Sequence, residues 1–259
     1  MDIGPWIISG LALAQVWIIA LIKWAVRPKL RIYETGNLEL GYGSLGPSIA
    51  VIGTLHVNKK SVFVREIRAS VKCKEDQATR KFTWKAFRGM DLLPEKPKLE
   101  IVGGFLVTES SPVKFNIFLA DNDYLSHVSP KLKSAPSRWM QYKQTRIQNI
   151  AEKIKEDAGV LNENEIIIES VYTDFTNESG LLEEYMVLDQ AFYWKPGTYE
   201  LTVEVVNEKN SVPCSFVREF DVTEEQSKEL RLNCVQQCRE LVGLSTNYFF
   251  VYPEYKSLN

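Results

Sequence analysis

One uncharged run, Ile3 to Ile22, constrains the architecture of this chain more than any other segment. Asp2 bounds it on one side, and Lys23, Arg27, Lys29 and Arg31 follow on the other. Twenty residues at about 1.5 Å rise each span roughly 30 Å, the hydrocarbon thickness of a bilayer. The run therefore predicts a transmembrane helix, with residues 1–27 as an anchor and residues 28–259 as the domain it holds. Trp6 and Trp24 fall where interfacial tryptophans belong, and Trp17 adds aromatic bulk between them. A cleaved signal peptide is disfavoured, because no basic n-region precedes the core and Lys23-Trp-Ala-Val-Arg-Pro28 replaces a small-residue exit. With Lys23 and Arg27 leading the C-terminal flank, the positive-inside rule predicts an outside N-terminus and a cytoplasmic main domain.

The remaining 232 residues suffice for one large domain or two small ones. The formal charge of the chain is −2. Residues 1–31 hold four cations and one aspartate, so the rest carries −5, which argues against nucleic acid as a partner. Cys73, Cys214, Cys234 and Cys238 form no tight framework and read as buried thiols.

Strand signals dominate the domain. Ser48–Val57 and Ser61–Val71 are rich in β-branched residues and read as a hairpin joined by Asn58-Lys-Lys. Further strands are predicted at 35–42, 79–88, 99–107, 113–119, 165–175, 185–194, 198–207 and 215–222. Two helices interrupt them. The first, about 137–158, places Met140, Ile147, Ile150, Ala151 and Ile154 on one face and stops at Gly159. The second, 223–242, opens with Thr223 and Gln226 in capping-box spacing and ends at Gly243. Many short strands between turn signals predict a mainly β protein, an antiparallel sandwich carrying two inserted or terminal helices.

The segment Tyr193-Trp-Lys-Pro-Gly-Thr-Tyr-Glu-Leu-Thr-Val-Glu-Val205 resembles the E–F corner and F strand of immunoglobulin-like β-sandwiches. Tyr199 matches the position of their corner tyrosine. Leu201 stands where antibody domains carry a cysteine, so the resemblance implies no inter-sheet disulfide. It implies a fold and no ligand, since such sandwiches host many roles.

No motif for chemistry holds together. Gly41-Tyr-Gly-Ser-Leu-Gly46 has dinucleotide-loop spacing, but Pro47-Ser48 leads into a β-branched run where that mechanism needs a helix N-terminus. His56 and His127 lack ligands at metal spacing, and Cys234 with Cys238 would need two more ligands for zinc. Asp121-Asn122-Asp123 has the oxygen density of a calcium loop without the rest of the pattern, and reads as an Asx turn. No catalytic residue, cofactor or metal ligand is therefore assigned.

Charge patterning says more. Tyr124 to Ala151 contains no acidic residue, while Lys131, Lys133, Arg138, Lys143 and Arg146 supply cations around Trp139 and Tyr142. Glu156 to Trp194 reverses the sign, with ten Asp/Glu and no Lys or Arg. Either the two stretches neutralise each other in the fold, or the first faces an anionic surface (lipid or protein) through Lys131, Lys133, Arg138, Trp139, Lys143 and Arg146. The second would then be open to a basic partner. The resulting expectation is a non-enzymatic, membrane-anchored binding or scaffold module that recruits a partner protein. An exported adhesion domain, a subunit of a membrane complex and an unrecognised hydrolase stand as alternatives.

Overall fold

The computed structural model describes residues 15, 17–18, 21, 29–88, 99–100, 103–156 and 164–256, with backbone alone at 35–37, 88, 99–100, 149–156 and 164–167. The strands are β1 (Lys29–Gly43), β2 (Gly46–Asn58), β3 (Val62–Cys73), β4 (Thr79–Arg88), β5 (Leu99–Glu100), β6 (Phe105–Val107), β7 (Val113–Asp121), β8 (Gly197–Asn207), β9 (Cys214–Val222), β10 (Phe250–Val251) and β11 (Tyr255–Lys256). The helices are α1 (Asn122–His127), α2 (Ala135–Glu156), α3 (Asn164–Asn177), α4 (Leu182–Gln190), α5 (Glu224–Arg231) and α6 (Asn233–Leu241), with a 3-10 turn at Ser129–Leu132.

All the described strands join one antiparallel sheet in the order β10-β1-β2-β7-β4-β3-β8-β9-β11, with β5 on β4 and β6 on β3. This corrects the expected antiparallel sandwich to a mainly β half-barrel with a few helices. Alternation builds its inner face: Ile49, Val51, Leu55 and Val57 of β2 are buried, as are Tyr199, Leu201, Val203 and Val205 of β8. In β3 the buried set switches from Val62 and Val64 to Ile67, Ala69 and Val71. A register shift between Val64 and Glu66 supplies the extra residue that a change of parity requires.

The predicted β2–β3 hairpin does not form. β2 pairs with β1 and β7, whereas β3 pairs with β4, β6 and β8. Asn58 and Val62 are four peptide steps apart, about 14 Å at full extension. The link is not extended, because Lys59 has φ of 79° and the Lys60 N–H donates to Asn58 O at 3.2 Å. So short a link connects strands three positions apart only where the sheet curls.

The C-terminal segment spans the two edges of that curl. β10 pairs with Leu40 and Gly41 of β1, and β11 pairs with Glu219 and Phe220 of β9. Val251 and Tyr255 are again four steps apart, about 14 Å at most, so the two edges must approach each other. The Arg218–Glu34 ion pair joins the same edges.

Among the described residues no helix is long and apolar enough to cross a membrane. The longest, α2, has 22 residues but includes Arg138, Lys143, Arg146, Glu152, Lys153, Lys155 and Glu156. This finding corrects the expected single-pass architecture with an N-terminal transmembrane helix, and the localisation derived from it: neither is supported, and most of the anchor expected at residues 1–27 lies outside the described residues. Of Ile3–Ile22, only Gln15, Trp17, Ile18 and Leu21 are described; they are helical and exposed. Trp6, Lys23, Trp24 and Arg27 lie outside the described residues.

Two predicted strands, 165–175 and 185–194, are instead helical over most of their length, as α3 and α4. Together with α1, α2 and the 3-10 turn they form an insertion between β7 and β8. The helix expected at 223–242 is two helices hinged at Leu232, and the capping box at Thr223 and Gln226 is present. The insertion returns through Phe192-Tyr193-Trp194, which plugs the half-barrel. Trp194 lies 6.0 Å from Phe82 and 5.7 Å from Tyr199 between ring centroids, and its Nε1–H donates to Gly41 O at 2.8 Å. The Tyr199 O–H bonds back to Lys195 O at 2.8 Å, which fixes the corner into β8. The Tyr42 O–H reaches out of the sheet to Leu188 O at 2.6 Å and so ties α4 to β1.

Candidate functional site

The helical insertion has its own small core. Trp139 of α2 is only 2% exposed and packs on Tyr172 and Phe175 of α3, at 6.0 and 5.4 Å between centroids. Its assignment to an anionic-surface contact is therefore corrected: the indole is interior. The cations around it are partly committed as well. Arg138 makes a two-pronged ion pair with Glu184, a carboxylate 2% exposed that also accepts from Ser134 Oγ at 3.3 Å. Arg146 pairs with Glu178 at 2.7 Å and lies over the Tyr142 ring. Basic and acidic stretches thus bind each other across α2, α3 and α4. Lys131, Lys133 and Lys143 make no ion pair among the described residues.

The acidic stretch is tied down from the C-terminal helices too. Arg239 of α6 grips Glu169 at 2.6 and 3.0 Å and covers the Tyr172 ring, and this pairing holds the Glu169 carboxyl below its usual range. Arg231 of α5 pairs with Asp189 at 2.8 Å. Asp174 and Glu183 are exposed and have no ion-pair partner among the described residues.

Between α3, α4 and α6 lies a groove of about 310 Å³. Tyr172 and Leu181 line its interior, Leu182 and Tyr185 its α4 side, and Val235 and Cys238 its α6 side. Its rim is apolar and open. Of the lining residues, Leu182 is 52% exposed, Val235 44% and Tyr185 36%, while Met186 on α4 is 50% exposed. On α4, Leu182, Tyr185 and Met186 recur at i, i+3 and i+4, which puts them on one side of the helix. The opposite side of α4 is spent on the core through Leu188 and on the buried Glu184. Burial raises the Cys234 and Cys238 thiols to about 12, so neither supplies a thiolate.

The other residues singled out by sequence are structural. Gly41–Gly46 is the turn between antiparallel β1 and β2, with no helix after it. Gly46 has φ of +78°, and a Cβ there would fall 2.2 Å from the Tyr124 ring. Asp121 is fully buried, caps α1 by accepting from the Asp123 N–H at 2.9 Å, and pairs with Arg80 at 2.7 Å. His127 Nδ1 lies 3.0 Å from Asp123 O. Among the described residues no three His, Cys, Asp or Glu side chains converge as a metal site. All four cysteines are free thiols.

Sequence reasoning missed the groove because it assigned α3 and α4 as strands. The available signal was the i, i+3, i+4 spacing of Leu182, Tyr185 and Met186 between acidic neighbours. No protein-family model, curated protein or solved structure matches the chain.

Proposed function

We propose that this chain is a non-enzymatic binding module that recruits a partner protein by receiving one of its helices in the groove between α3, α4 and α6. The carrying observation is that Leu182, Tyr185 and Val235, 52%, 36% and 44% exposed, line one concavity. Scattered exposed apolar residues need no explanation, but a set that rims a groove marks an interaction surface. Helix-in-groove recognition reads such surfaces through anchors at i, i+3 and i+4.

The test is recovery of a partner by the immobilised full chain, compared with Leu182→Asp, Val235→Asp and, away from the groove, Met140→Asp. A partner that is retained by wild type and Met140→Asp but lost from both groove variants supports the reading. One retained equally by all four chains contradicts it.

A further inference from the structure

A second concavity, of about 370 Å³, lies where the β1–β2 turn, the 3-10 turn and α6 meet. That size is within the roughly 300–1,000 Å³ of small-molecule sites. Its lining holds an unusual surplus of hydrogen-bond donors. Ser44 Oγ, Ser129 Oγ and Lys133 Nζ all line it and have no partner among the described residues. Gln237 lines it as well, although it is only 2% exposed. The orientation of its amide is fixed from both sides. Tyr42 O can only accept, so Nε2 must face it, and Oε1 then accepts from the Tyr124 O–H at 2.7 Å. The Nε2 contact to Tyr42 O is long, 3.4 Å, and the second N–H has no acceptor among the described residues. A buried amide donor left open beside a cavity calls for an acceptor.

Glu240 supplies the opposite charge. One of its oxygens accepts from the Tyr248 O–H, and the other is open. Lys133 and Glu240 share the cleft without forming an ion pair with each other. The rest of the lining is apolar, from Leu132, Pro136 and Leu241. We propose that this cleft binds a free α-amino acid with an apolar side chain. Lys133, the serine hydroxyls and the Gln237 amide receive the carboxylate, Glu240 receives the ammonium, and the apolar lining takes the side chain. The site is independent of the helix groove, though both use α6: Gln237, Glu240 and Leu241 serve the cleft, and Val235 and Cys238 serve the groove.

The experiment is calorimetric titration of the full chain with L-leucine, L-methionine and L-phenylalanine. N-acetyl-L-leucine, L-leucinamide and sodium acetate are the comparison probes. At least one of the three amino acids is expected to bind. Removing its ammonium or its carboxylate should weaken binding at least tenfold, as should Lys133→Met or Glu240→Gln. Both variant positions are exposed, and thermal melts establish that the variants fold. Failure of all three amino acids to bind overturns the proposal. So does equal binding of N-acetyl-L-leucine, which would indicate a carboxylate or peptide-terminus site, or binding unchanged in both variants.

Discussion

Glu184 shows how much of the charge pattern is spent internally. Its carboxylate is 2% exposed, and Arg138, 39% exposed, is its cationic partner. Removing one member of a buried pair leaves the other charge stranded, whereas replacing both can be nearly neutral. Arg138→Met is expected to destabilise the chain by about 3 kcal/mol in urea unfolding, with most of that recovered in Arg138→Met/Glu184→Leu. Equal losses in single and double variants would show that the pair is not the source. Arg146–Glu178, with side chains 41% and 54% exposed, contributes little by comparison.

Buried thiols set an alkaline limit at the same scale. Cys234 and Cys238 are raised to about 12 by burial, against about 8.5 for a free cysteine. Above that ordinary value the unfolded chain loses these protons first, so it binds fewer protons than the folded chain and stability falls with rising pH. The contribution is complete below about pH 8.5 and is lost progressively as pH rises towards 12. Cys234→Ala and Cys238→Ala should each flatten the decline measured by denaturant unfolding across that window. The flattening is partial, because buried Tyr42, Tyr124 and Tyr199 are shifted upward too.

Among the elements, the C-terminal clasp is anchored in the interior by one buried side chain. Asn233, fully buried at the start of α6, receives the Phe249 N–H and donates to Phe249 O, both at 2.8 Å. That clamp sets the segment just before β10 and β11, which pair through only two residues each. Asn233→Ala should cost about 2–4 kcal/mol for the two lost buried bonds. Amide exchange at residues 250–256 should accelerate more than the global loss accounts for. Uniform acceleration across the sheet would mean that the clasp is not separately held.

Element type was legible where side-chain period and burial agreed. β2, β3, β4, β7, β8 and β9 follow their alternating or β-branched runs closely, and the Thr223–Gln226 box marks the start of α5. It failed at 165–175 and 185–194, where β-branched and aromatic residues carry strand propensity but most positions lie on α3 and α4. Tertiary context overrode propensity there, with Val171, Phe175 and Leu188 buried from those helices. The pairing of β2 with β7, rather than with β3, depends on curl and on a strand some 60 residues later, which no local turn reveals. For the candidate site, the sign reversal between 124–151 and 156–194 was visible, but which charges neutralise each other was decided by α2 packing on α3 and α4.

At the scale of the whole molecule, a curled sheet fastened by its own C-terminus supports a helical insertion whose inner face is consumed and whose outer groove is left open. The sheet supplies rigidity through the Trp194 plug and the Tyr42–Leu188 bond, so α4 presents Leu182, Tyr185 and Met186 from a fixed position. Rigid presentation lowers the ordering cost of binding. The central claim is that this groove docks a partner protein, and photo-crosslinking tests it most directly. A benzophenone side chain placed at Val235 should give a discrete adduct with one protein, abolished when Leu182→Asp is added. The same group at Lys81, on β4, should give none. Adducts of equal yield from both positions, or no adduct at Val235, would contradict the account.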